Sequence, residues 1–121
     1  NKEGHYITLN LFFKSANKNN GTLFIYEKSH KYGLFKYDRQ ISYREKNNKP
    51  GNHIRNLKNF NRKDLIFKKG DLLVLHGNLI HGSSPSISNK DRPLYSMCYI
   101  PANEYFTTGR NAQRMILNKS N

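Results

Sequence analysis

His81 closes the run Leu72-Leu73-Val74-Leu75-His76-Gly77-Asn78-Leu79-Ile80-His81 and is followed directly by Gly82-Ser83. A strand that delivers an imidazole beside glycine and a small hydroxyl leaves a ring nitrogen facing open space. That is what a metal ligand with vacant neighbouring positions requires. Arg92 stands eleven residues further on, where the apolar stretch Pro93 to Ile100 begins. Its planar fork can grip a carboxylate with two parallel hydrogen bonds, which lysine cannot do. From spacing alone the plainer readings stay open: His81 as a packed or surface histidine, Arg92 as one more surface charge. No second His or Cys lies near His81 at a compact metal-binding spacing, and motifs of this size are weak.

The elements that must position these residues are short strands. From His5 to Phe13, Ile7, Leu9, Leu11 and Phe13 alternate with Tyr6, Thr8, Asn10 and Phe12, the period of a strand with two distinct faces. One face is purely apolar; the other mixes aromatic and polar groups and carries Asn10. Asn17 to Gly21 reads as a polar turn and Thr22 to Tyr26 as a second strand, so the two strands are expected to pair as a hairpin. Between about 27 and 64 apolar residues are sparse and Pro50-Gly51 marks a turn, and a polar segment of this length suggests a lid-like insertion. A short strand or helical turn is expected around Leu57 to Phe60. Leu65-Ile66-Phe67 reads as a strand, Lys69-Gly70-Asp71 as a tight turn and Leu72 to His76 as another strand. Leu79 to His81, a Ser- and Gly-rich loop from Gly82 to Lys90 and a strand from Pro93 to Ile100 follow. After Glu104 the pattern leaves coil and a short helix near Ala112 to Leu117 both open. Many short strands and almost no helix predict a mainly β sandwich or open barrel.

The composition bounds the function less sharply. The 121 residues can form one small domain or a piece of one. The first residue, Asn1, leads within a few positions into a strand pattern, as in the middle of a longer protein. A formal charge of +13 raises nucleic acid as a partner. The lysines, however, are interspersed with asparagines, as in Lys46-Asn47-Asn48-Lys49, and the aromatic residues fall inside strand patterns. No zinc spacing, phosphate loop or recognition helix accompanies the charge, so nucleic acid is the weaker expectation. Cys98 is the single cysteine, which makes the cytoplasm the default compartment, and no apolar run has the ~20 residues of a membrane span.

Four ordered features from Gly4 to about Ala102 resemble the phytanoyl-CoA dioxygenase family. Asn19-Asn20-Gly21-Thr22-Leu23 is similar to its N-G-x-L strand entry, and Lys28-Ser29-His30-Lys31 to its G-S-H-K element. Lys69-Gly70-Asp71 matches its K-G-D turn, and His81-Gly82-Ser83 with Arg92 matches its H-G-S and downstream arginine. The resemblance implies a double-stranded β-helix, a jelly-roll, cupin-like barrel that is incomplete in this chain, which would be the C-terminal part of a single dioxygenase domain. It implies Fe(II) held by two histidines and a carboxylate, with His81 as the distal histidine, and 2-oxoglutarate as cosubstrate with Arg92 on its distal carboxylate. Ser83 and Asn10 become candidates for cosubstrate contact; Ser83 could instead merely shape the loop after His81, and Asn10 could be an ordinary barrel-lining or cross-strand amide. The implied activity hydroxylates a small-molecule substrate, and the basic insertion would suit an anionic one.

The chain departs from the family in two places. The family's other two iron ligands come from a His-x-Asp motif, and none occurs here: His5, His30, His53 and His76 are followed two positions later by Ile7, Tyr32, Arg55 and Asn78. A missing upstream segment of the same polypeptide is the simpler explanation, and the chain alone is then expected to be inactive; a catalytically dead barrel that binds a ligand or protein is the alternative. The family's Pro-Gly before Ser-His is Glu27-Lys28 here. His30 is expected to hold a turn, His76 to be structural, His53 to be solvated and Asp71 to serve its turn.

Overall fold

The computed structural model describes residues 4–36, 54 and 56–104. Among the described residues six strands form two three-stranded antiparallel sheets. In the first sheet β1 (Ile7–Phe12) lies between β4 (Leu72–His76) and β6 (Leu94–Tyr99). In the second, β2 (Leu23–Tyr26) lies between β3 (Arg62–Asp64) and β5 (His81–Ser83). After β3 the chain alternates between sheets, so each of the last three strands is added opposite its predecessor.

Pairing fixes which side chains share a face, because residues opposite one another in a ladder point the same way. Thr8, Asn10 and Phe12 therefore share a face with Leu73 and Leu75 of β4 and with Leu94, Ser96 and Cys98 of β6. Phe12 and Leu75 are buried, so this mixed face is the inward one. The purely apolar face of β1 points outward beside Leu72, Val74, Tyr95 and Tyr99, all exposed. Strand periodicity separated the two faces correctly. Only the packing says that the polar-bearing one lines the interior.

The core joins the two sheets at one end. Phe12, Ala16, Leu23 and Phe67 form its buried centre, with Leu65, Leu73 and Leu94 packed against it. The Phe12 and Phe67 rings stack with centroids 3.9 Å apart. Leu23 belongs to β2, so its face of the second sheet, which includes Ile25 and, across the ladder, His81 and Ser83, is also the inward one.

Three expectations are corrected. β1 and β2 do not form a hairpin; they sit in different sheets. The segment between them is a crossover, with Ala16 bridged to Phe67 and Asn20 to Ser86. Its asparagines close the turn on itself: Asn20 Oδ1 accepts the Asn17 N–H and Asn20 Nδ2 donates to the Ser15 carbonyl. Leu65 to Phe67 is not a strand but the next crossover, which drops Leu65 and Phe67 into the core and leaves Ile66 exposed, the alternation of extended chain without a ladder. The strand lies earlier, at Arg62–Asp64, inside the span read as insertion. It is charged because it is a sheet edge, where apolar side chains would be a liability.

Other readings hold. Leu57–Asn59 forms a 3-10 turn. In the Lys69-Gly70-Asp71 turn, Gly70 takes φ +91° and Asp71 Oδ2 accepts the Lys68 N–H, so Asp71 serves its turn as expected. The two roots of the insertion are tied together: Glu27 N–H donates to the Asn61 carbonyl, Asn61 Nδ2 donates to Glu27 Oε2, and Phe60 packs edge-on against Tyr32 and Phe35. The lid expectation concerns mainly residues 37–53, which lie outside the described residues, as do His53 and the segment after Glu104.

Lys28 adopts φ 62° and ψ 2°, the left-handed region that favours glycine. The turn thus keeps a glycine-like shape with a side chain that disfavours it, at a cost of roughly 1–2 kcal/mol. Lys28→Gly should stabilise the chain by about 1 kcal/mol after the added freedom of the unfolded state is discounted. Denaturant unfolding measures this, and a loss of stability on substitution would contradict the strained turn.

Candidate metal and cosubstrate site

β5 brings His81 and Ser83 onto the inward face two positions apart, opposite Ile25 and Leu23. Gly82 between them faces the other way, against Phe24. A Cβ on Gly82 would stand 2.6 Å from Phe24 Cζ, so only glycine lets the ring lie over the strand. The His-Gly-Ser spacing is thereby explained residue by residue: imidazole in, nothing out, hydroxyl in.

The His81 ring has a defined tautomer. Its Nδ1 lies 2.8 Å from the Leu79 carbonyl oxygen. A carbonyl can only accept, so Nδ1 carries the proton, and the neutral ring keeps its lone pair on Nε2. Metal-binding histidines are commonly oriented by this kind of bond, with the unprotonated nitrogen turned to the ion.

Arg92 precedes β6 and reaches back to β5, where its Nη2 is 3.4 Å from Ser83 Oγ. Its Nε and Nη1 are buried and have no hydrogen-bond partner among the described residues. Burial pushes the guanidinium below its ordinary pKa. Arginine nevertheless stays charged, so what remains is a cation with donors unpaired away from water, an arrangement that is costly unless an anion completes it. The neighbouring carboxylate does not serve: Asp91 pairs with Lys14 at 2.6 Å, and that hydrogen bond holds its pKa below the usual carboxylate value. The unpaired donors of Arg92 can bind a carboxylate of a small acid.

Asn10 is buried at the middle of β1, between Leu73 and Ser96, and its face is the inward one. No hydrogen bond among the described residues joins it to His81, Ser83 or Arg92. The structure thus brings Ser83 and Arg92 together, sets His81 on the same inward face of β5, and places Asn10 on the facing sheet.

The remaining described histidines lie elsewhere. His76 shares the outward face with Ile7, accepts the Asn78 N–H on Nδ1, and packs against the His30 ring with centroids 5.3 Å apart. His5 pairs with Glu104 at 2.8 Å. Among the described residues no group of three or more His, Cys, Asp or Glu side chains could hold a metal ion. The site therefore offers one metal-ready nitrogen and one anion-ready guanidinium, a partial set. Sequence reasoning passed over Ile25 and Lys63, which share the inward face in register with His81. Nothing in their local sequence marks them, because only the pairing across β2 aligns them.

The described residues form two antiparallel sheets with mixed faces, with His81 on an inward face and Arg92 carrying buried donors without a partner among the described residues. The family model for phytanoyl-CoA dioxygenase matches residues 1–94, and the chain belongs to that family. No curated protein and no solved structure matches the chain. No helix among the described residues is long and apolar enough to cross a membrane.

Proposed function

We propose that this chain is part of an Fe(II)- and 2-oxoglutarate-dependent dioxygenase that hydroxylates a small-molecule substrate. The observation that carries this reading is Arg92, whose Nε and Nη1 are buried without a partner among the described residues and which lies beside Ser83 of the strand that presents His81. Membership of a dioxygenase family supports the enzyme class.

His81 would hold the iron through Nε2, and the other two protein ligands would come from residues of the polypeptide outside the 121. Arg92 would take the distal carboxylate of 2-oxoglutarate on its free donors, with the Ser83 hydroxyl alongside and Asn10 facing the cosubstrate from β1. Bound together, Fe(II) and 2-oxoglutarate supply O2 activation, giving succinate, CO2 and in the usual case a hydroxylated product. The chain's own contribution is to orient the cosubstrate, neutralise its charge and keep water from the space between the sheets. Two antiparallel sheets joined by a shared core among the described residues support a double-stranded β-helix, which is built from two such sheets. The excess of positive charge supports an anionic substrate, and the single, unpaired Cys98 supports a reducing, cytoplasmic setting.

The test is succinate formation by the full-length polypeptide. Production should require Fe(II), 2-oxoglutarate and O2 together. A protein that binds 2-oxoglutarate and never forms succinate would be the inactive binding module, and the enzyme reading would fall.

A further inference from the structure

The Leu79 carbonyl that accepts the His81 Nδ1 proton belongs to the same peptide unit as the Ile80 N–H. That N–H donates to Ser29 Oγ at 2.9 Å. Ser29 opens the 3-10 turn Ser29–Tyr32, directly after the left-handed Lys28, and is completely buried. The surrounding backbone is held by main-chain bonds, from Leu79 N–H to the His76 carbonyl and from Tyr26 N–H to the Ile80 carbonyl, each 2.9 Å. Ser29 is the one side chain in this set.

We infer that Ser29 is a positioning residue for His81: its hydroxyl orients the Leu79–Ile80 peptide, and that peptide fixes the tautomer and direction of the His81 ring. A peptide unit is planar, so holding its N–H sets the direction of its carbonyl. Hydrogen bonds at the two ends of one peptide also polarise each other, so the carbonyl becomes a better acceptor for Nδ1–H. Without Ser29 Oγ the Ile80 N–H loses its partner and the peptide is free to tilt toward another acceptor. The ring then loses what keeps its proton on Nδ1 and its lone pair on Nε2. This also accounts for a strained Lys28, since the left-handed turn brings Ser29 inward.

The consequence for iron rests on the function proposed above; the consequence for the tautomer does not. The test is therefore made first on metal-free full-length protein labelled with 15N-histidine, reading the His81 ring nitrogens by NMR. Wild type should show a protonated Nδ1 and an unprotonated Nε2. Ser29→Ala, and the near-isosteric Ser29→Cys with its weak sulfur acceptor, should shift His81 toward a mixture of tautomers while the His5 ring signals stay in place; Ser29→Thr, which keeps the hydroxyl, should restore the wild-type pattern. In the same variants Fe(II) affinity should fall about 10- to 100-fold, the usual effect of removing an outer support of a ligand. An unchanged His81 tautomer in folded Ser29→Ala or Ser29→Cys would overturn the inference, and so would failure of Ser29→Thr to restore it. A tautomer that responds while Fe(II) affinity does not would uphold Ser29's role and sink the iron reading instead.

Discussion

Replacing Arg92 with alanine should raise the 2-oxoglutarate concentration needed for half-maximal succinate formation on the order of a hundredfold. Truncating one partner of a buried, hydrogen-bonded charge pair costs about 2–5 kcal/mol, and each 1.4 kcal/mol is tenfold. Arg92 fits that description once an acid is bound, because its buried Nε and Nη1 have no partner among the described residues and Asp91 is engaged by Lys14. Arg92→Lys should recover only part of the loss, since an ammonium supplies the charge but not the fork. The fold should survive either change: Arg92 contributes one long bond, to Ser83 Oγ, and precedes β6 instead of lying within its ladder. Titration of 2-oxoglutarate against succinate measures the effect, and an unchanged requirement in Arg92→Ala would remove the assignment.

What could be read without coordinates was what is local. The turn at Gly70, the strands Leu72–His76 and Leu94–Tyr99, and the His-Gly-Ser element each declare themselves within a few residues, through a left-handed glycine, a period of two or a required absence of side chain. What failed was partner choice. The apolar stretch at Leu65 to Phe67 looks like a strand because two of its residues are core, yet it pairs only at the single bridge from Phe67 to Ala16. The real strand at Arg62–Asp64 looks like loop because an edge tolerates charge. The expected hairpin failed for a related reason: β1 and β2 belong to different sheets, and no local signal states that.

The site divides along the same line. Residue type and spacing marked His81 and Arg92 only as candidates, with plainer readings open, and their roles came from the family resemblance. The pairing of Asn10 with Ser96 and the alignment of Ile25 with His81 needed the ladders. The bond from Ile80 to Ser29 joins residues 51 apart in sequence and could not have been anticipated.

The second large effect concerns His81, whose Nε2 is the one metal-ready nitrogen the described site offers. One protein ligand cannot hold Fe(II) in the facial geometry an oxygenase needs. The 121-residue chain alone should therefore retain little iron, and the full-length polypeptide should retain it only through His81. His81→Ala should abolish retention with little loss of stability, because the side chain is exposed at the start of β5 and outside the core cluster.

Iron content, with succinate production read in parallel, for the 121-residue chain, the full-length protein and full-length His81→Ala, is the most direct test of the claim that this chain supplies one metal ligand and the cosubstrate's anchor. The account predicts near-stoichiometric iron and succinate in the full-length protein alone. Stoichiometric iron in full-length His81→Ala, or full activity in the 121-residue chain, would contradict it.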